Sequence, residues 1–186
     1  MAKKILVVID VQNDFVGGAL RNEEAIKKIP NIVKKIREFN GDAIYATRDT
    51  HYEGYLQSKE GQKLPVTHCV IGTEGWEIEA NVKAALDDAK LRNISVTYID
   101  KPTFGSLELM DTIGKVTGDL EVEVCGYCTD ICVVSNALLL KAMLYANAEL
   151  TVDATCCAGV TVDSHKAALT TMKMCQINVI NEDKDA

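Results

Sequence analysis

A chain of 186 residues, 47% apolar and 25% charged, can bury one core, with at most one insertion in the domain. The formal net charge is −7, with lysines and acids interspersed, which argues against nucleic acid or an anionic membrane as partner. No apolar run approaches the length of a membrane span. The seven cysteines are odd in number and clustered, unlike a secreted disulfide framework; reduced thiols in a cytoplasm are the simpler account.

Residues 4–10 (KILVVID) are nearly continuously apolar, as a strand buried on both faces should be. The basic start before them is no secretion signal, because the apolar run is short, meets Asp10 and has no small-residue cleavage site after it. Residues 22–38 place Ile26, Ile29, Ile32, Val33 and Ile36 at helical spacing, with Gly41 beyond the end. A second strand covers 42–47. The segment 48–76 is polar, contains glycine and has no clear periodicity. A helix near 78–90 leads to a strand over 94–100, and a short helix begins near Ser106. Residues 119–126 alternate into a fourth strand, followed by an Ala-, Leu- and Val-rich helix over about 129–146. A strand over 148–155, a helix over 161–174 and a strand over 177–180 complete the pattern, and NEDKDA reads as a solvated acidic end. Such β-α alternation predicts an α/β fold: a three-layer α-β-α sandwich around a six-stranded, mostly parallel sheet.

In such sheets function gathers at the carboxyl ends of the strands. Here those ends carry Asp10, then Asp49 beside His51, then Lys101, then the thiol cluster that begins at Cys125. Each has an ordinary structural explanation, and their convergence on one edge is the informative part. Three cysteines fall within CGYCTDIC. Cys125 ends a strand and reads as a small buried hydrophobe. Thr129 or Asp130 is a natural N-cap, which sets Cys132 in the first helical turn, where the dipole favours a thiolate. Cys132 is therefore the best nucleophile of the three, with a structural role as the alternative. Cys125-x-x-Cys128 also fits a redox motif, although thioredoxin-like proteins carry theirs after the first strand. The adjacent Cys156-Cys157 do not have the spacing of a zinc hook.

Four stretches together resemble one family: Asp10-Val-Gln-Asn-Asp-Phe15, Thr47-Arg-Asp49-Thr-His51, Lys101-Pro-Thr-Phe-Gly-Ser106 and Gly126-Tyr-Cys-Thr-Asp-Ile-Cys132-Val133. They stand in the order found in the isochorismatase-like cysteine hydrolases, within them the nicotinamidase/pyrazinamidase branch, and span nearly the whole chain. The resemblance implies the isochorismatase-like hydrolase fold and a catalytic triad of Asp10, Lys101 and Cys132. It also implies a cis peptide between Tyr127 and Cys128, and an oxyanion hole made by the N–H groups of Cys128 and Cys132. On that basis Cys132 attacks a small amide to form a thioester, Asp10 carries its proton, and Lys101 keeps the anions tolerable.

Asp49 and His51 match the family's metal-binding Asp-x-His. Where many members supply a further histidine, this chain has Glu53, Tyr55 and Gln57; a second family pattern resembles Glu60 through His68. The expected ligands are Asp49, His51 and His68, with Glu60 as a direct or water-bridged candidate, in a metal-binding loop at about 48–76 of a single domain spanning 1–186. The donors suit zinc, with iron and manganese as alternatives. Leu64-Pro65 stands where the branch commonly has an aromatic, so Phe15, Leu64, Trp76 and Tyr127 are the candidates for substrate contact. Relatives are often dimers or tetramers, which places a homo-oligomer among the expectations. The rivals are another amide or carbamoyl hydrolase or an isochorismatase of the same family and, from another class, a thiol redox protein.

Overall fold

The computed structural model describes residues 2–144 and 148–182. Its centre is β1 (Lys3–Ile9), whose last five residues are wholly buried, as the apolar run requires. Around it lie β2 (Ala43–Asp49), β3 (Ser95–Lys101), β4 (Leu120–Tyr127), β5 (Ala148–Ala158) and β6 (Asn178–Ile180), all parallel, in the order β3-β2-β1-β4-β5-β6. The chain steps outward from β1 to β3, then crosses to β4 and steps the other way. Right-handed crossovers therefore put α2 (Glu23–Glu38) and α3 (Ala80–Leu91), which pack together, on one face. They put α4 (Leu107–Gly114), α5 (Val134–Met143) and α6 (Val162–Met174) on the other. The three-layer α/β expectation is met, with the reversal of strand order between β1 and β4, where such folds bind ligands.

The helix starts follow local chemistry. The Asn22 side chain accepts the N–H groups of Glu24 and Ala25, Glu79 those of Asn81 and Val82, and Ser106 that of Leu109. Thr161 and Ser164 cap α6 reciprocally.

Other boundaries differ from expectation. The predicted helix over 129–146 opens as a π turn, Thr129–Val133, before α5 begins, and 145–147 lie outside the described residues. Neither Thr129 nor Asp130 caps it. The N-cap is Cys128, without a side-chain bond; Thr129 Oγ1 lies 2.7 Å from His165 Nδ1, and the Asp130 carboxylate accepts the Val160 N–H at 3.1 Å. β5 runs on to Ala158, so Cys156 and Cys157 are strand residues. A short helix, α1 (Asn13–Val16), and 3-10 turns at Tyr55–Gln57 and Glu74–Trp76 fall where no element was expected. Residues 183–186 of the acidic end lie outside the described residues.

Helix α2 is tied to the sheet by Lys35, which pairs with Glu123 of β4 and lies 2.8 Å from Asp153 of β5. Burial works to raise the Asp153 pKa, but hydrogen bonds from Lys35 and Thr155 outweigh it and hold the carboxyl below its ordinary range. A carboxyl depressed in the folded state stabilises above its unfolded pKa, and loses that contribution as pH falls through the folded value. Asp153→Asn should therefore lower stability at pH 7 by about 1–2 kcal/mol. In urea unfolding from pH 7 downward, the gap to wild type should close below about pH 4.

Candidate active site

Strand order brings four carboxyl ends into a row, and the side chains there meet. Asp49 of β2 stands directly opposite Lys101 of β3, and Ile9 of β1 opposite Gly126 of β4. Just past β1, Asp10 turns back with φ of 49°, a left-handed conformation that aspartate tolerates better than most residues. Thr47 holds it there: the Asp10 N–H donates to the Thr47 carbonyl at 3.2 Å, and Thr47 Oγ1 donates to Asp10 Oδ1 at 2.7 Å. The other oxygen, Oδ2, lies 2.7 Å from Lys101 Nζ. That contact has ion-pair distance, and Oδ2 accepts no hydrogen bond of good geometry from the described residues. Lys101 Nζ also lies 3.4 Å from Cys132 Sγ, 3.5 Å from Asp49 Oδ1 and 3.2 Å from the Thr103 carbonyl. Asp10 and Lys101 are wholly buried and Cys132 is 6% exposed.

Burial dominates the electrostatics. It pushes the Asp10 pKa up despite the adjacent Lys101, because removal from water outweighs the attraction. Burial also pushes the Cys132 thiol well above its ordinary range, with the Asp10 charge adding to the effect. Desolvation thus outweighs the expected thiolate-favouring helix start and favours the neutral thiol. For Lys101, burial works against the charge, but Asp10, Cys132 and Asp49 more than offset it and the ammonium persists.

The backbone after β4 is shaped for close approach. Gly126 has φ of 121°, and a Cβ there would sit 2.1 Å from the Ile9 carbonyl oxygen, so only glycine fits. The Tyr127–Cys128 peptide is cis, as the resemblance implies. The Cys128 carbonyl accepts the N–H groups of Ile131 and Val133 at 3.1 and 3.0 Å. Asn136 Nδ2 donates to the Cys132 carbonyl at 2.8 Å, while Asn136 Oδ1 accepts the Ser106 N–H at 2.9 Å. Asn136 and Thr47 therefore fix Cys132 and Asp10; Thr47 opens one of the stretches that carry the resemblance, while no motif marks Asn136 in the sequence.

Beside the thiol lies a compact donor set. Ligand atoms of Asp49, His51 and His68 all fall within 4.8 Å of one another. Asp49 Oδ2 is 3.1 Å from His51 Nε2 and 3.3 Å from His68 Nε2. His68 Nδ1–H donates to the Val66 carbonyl at 2.7 Å, which in the neutral ring leaves the Nε2 lone pair turned inward. One carboxylate and two inward imidazoles, all buried, fit a divalent transition ion such as zinc. Glu60 stands outside this set, with Oε1 3.7 Å from His51 Nε2. An open cleft of about 350 Å³, lined by His51, Tyr55, Glu60 and Thr103 among others, leads to it.

The expected aromatic wall is largely elsewhere. Tyr127 is wholly buried and its hydroxyl donates to the Ala25 carbonyl of α2, so its ring belongs to the core. Trp76 lies against the Arg48 guanidinium at 3.7 Å and donates its indole N–H to Thr50 at 2.9 Å. Leu64 is 38% exposed and lends its carbonyl to the Tyr55 hydroxyl at 3.1 Å. Phe15 does reach the site, its ring 6.3 Å from that of His68. The aromatic over the donor set is Tyr55, 4.5 Å from the His51 ring and 5.0 Å from the His68 ring. The sequence offered no periodic signal for it. As for a redox pair, Cys125 and Cys128 are both buried, and burial pushes Cys125 well up and Cys128 to about 12, opposite to what a reactive C-x-x-C needs.

Comparison with known proteins matches this arrangement to a family. Residues 4–183 match the Isochorismatase domain, and the chain belongs to that family. It is 26% identical to the nicotinamidase/pyrazinamidase of Mycobacterium tuberculosis, over 95% of this chain and 98% of the relative. Among solved structures it superposes on the nicotinamidase PncA of Bacillus subtilis with a TM-score of 0.78 and 27% identity, covering 95% and 98% of the two chains. It superposes on the Pyrococcus horikoshii pyrazinamidase in complex with zinc with a TM-score of 0.74 and 27% identity, covering 96% and 98%.

If the donor set holds an ion, elemental analysis of the purified chain should find about one divalent metal per chain. His68→Ala should weaken metal binding by at least about 100-fold in competition titration, since even outer supporting groups cost 10–100-fold.

Proposed function

We propose that this chain hydrolyses nicotinamide to nicotinate and ammonia, as a cysteine amidase assisted by a zinc ion. In this reading residues 1–186 form one hydrolase domain in a reducing, cytoplasmic setting, and 48–76 is its metal-binding loop. The observation that carries it is Lys101, which lies within 3.5 Å of the Cys132 sulfur, Asp10 and Asp49 at once. A candidate nucleophile and its base thus adjoin a site for a ring nitrogen. Both features suit a pyridine carboxamide, and the similar proteins named as nicotinamidases and pyrazinamidases support that choice.

The chemistry follows from the resting protonation. Cys132 starts neutral, so its proton must leave as sulfur bonds to the amide carbon. Asp10 Oδ2, raised in proton affinity by burial, is the acceptor. The developing oxyanion takes hydrogen bonds from the N–H groups of Cys128 and Cys132, donors worth about 3–4 kcal/mol in such sites. Asp10 returns the proton to the amide nitrogen, the C–N bond breaks and ammonia departs, leaving a thioester on Cys132. Water then attacks that carbonyl, Asp10 accepts its proton, and the acid is released as the thiol reforms. Lys101 stays charged throughout and keeps Asp10 oriented. A divalent ion bound by Asp49, His51 and His68 would supply a Lewis-acid hold on the pyridine nitrogen.

Cys132→Ala should lower nicotinamide turnover, followed as ammonia release, by about 10⁴-fold or more, as loss of a covalent nucleophile does. Its unfolding midpoint should stay close to wild type, since a single sulfur is removed. Ammonia release at the wild-type rate would place the nucleophile elsewhere.

A further inference from the structure

Of the stretch Asp10–Phe15, the proposed mechanism uses only Asp10, yet Gln12 and Asp14 within it are polar and strongly engaged. Gln12 is wholly buried, and its side-chain amide bonds only to main chain. Oε1 accepts the Asp49 N–H at 2.8 Å, while Nε2 donates to the Asp49 carbonyl at 2.9 Å and the Trp76 carbonyl at 2.8 Å. Asp14 Oδ2 accepts the N–H of Cys69, the residue after His68, at 2.7 Å, and Oδ1 accepts the Ala19 N–H at 3.0 Å. Cys69 has φ of 46°, a left-handed conformation that a non-glycine residue holds when its surroundings enforce it. The Cys69 carbonyl in turn accepts the His51 N–H at 2.9 Å. The three candidate ligands are therefore tied to one short segment: Gln12 bonds the main chain of Asp49, and Asp14, two residues on, bonds Cys69, whose carbonyl accepts the His51 N–H.

Resting on the metal-site reading, we propose that Gln12 and Asp14 are positioning residues that gather Asp49 and His68 for the ion without touching it. These ligands come from a strand end and from an irregular loop, and neither element alone fixes their separation. A bracket in the short segment after β1 sets it in advance, so less ordering remains to be done when metal binds. Gly75 belongs to the same device. A Cβ there would sit 2.3 Å from Asp14 Oδ2, so glycine at 75 leaves room for the carboxylate to reach Cys69.

The test is zinc affinity, measured on the full chain after chelator treatment by competition with a chromophoric chelator. Asp14→Ala should weaken zinc binding about 10–100-fold. Gly75→Ala should act in the same direction by displacing the Asp14 carboxylate, and Gln12→Glu by losing both donations. Asp14→Asn should retain most of the affinity, because its amide oxygen still accepts from Cys69. Asp153→Asn, distant and destabilising, should bind zinc as wild type does. Wild-type affinity in both Asp14→Ala and Gly75→Ala overturns the proposal, as does equal loss in Asp153→Asn. A wild-type chain that binds no zinc fails the metal-site reading itself, a separate result, and removes this proposal with it.

Discussion

A lysine ammonium with no exposure to water is the constraint on which the site depends. Taking Lys101 out of solvent costs several kcal/mol, recovered only through close, well-placed anions and acceptors. Asp10, Asp49, the Cys132 sulfur and the Thr103 carbonyl surround it at 2.7–3.5 Å. Those groups sit on or just beyond different strands, so the ammonium fixes the mutual placement of the strand ends. The sheet order makes this possible, because β3, β2, β1 and β4 are consecutive neighbours and a long side chain at the end of β3 can reach across them.

The same edge holds two residues in the left-handed region, Asp10 at φ 49° and Cys69 at φ 46°. Each is bound by a side chain from another segment, Thr47 in one case and Asp14 in the other. Strained backbone of this kind persists where surrounding bonds over-determine it, and it tends to collect at functional sites. Here it turns one carboxylate and one imidazole inward from a strand end and a loop that would otherwise run past.

Much of this was legible from residue patterns. The apolar run Ile5–Ile9 of β1 and the helical spacing of Ile29, Ile32, Val33 and Ile36 are burial signals, and burial is what the sheet and helix impose. The rule that function gathers at strand ends picked out Asp10, Asp49, Lys101 and the thiol cluster, because it depends on topology alone. Direction of side chains was not legible. Trp76 and Tyr127 lie near the site in sequence, yet Arg48 and the Ala25 carbonyl, far along the chain, claim them. Tyr55 was passed over because its role depends on a loop conformation without periodicity. The helix start does favour a thiolate at Cys132, but a dipole effect of about 1 kcal/mol is smaller than the desolvation of a buried thiolate.

Desolvation at Cys132 bears on how a nucleophile would arise there. In the resting site one ammonium already faces two carboxylates, Asp10 and Asp49, and a thiolate would add a third anion within the same few ångströms. Burial removes the water that would have screened them, so the thiol keeps its proton and the Asp10 carboxylate is itself drawn toward protonation. A proton passing from Cys132 to Asp10 would exchange one buried anion for another. The transfer then becomes favourable only when a carbonyl offers the sulfur a bond and main-chain donors take up the charge. In the proposed mechanism reactivity is conditional on substrate, and the burial that pushes the Cys132 thiol up also raises the proton affinity of Asp10.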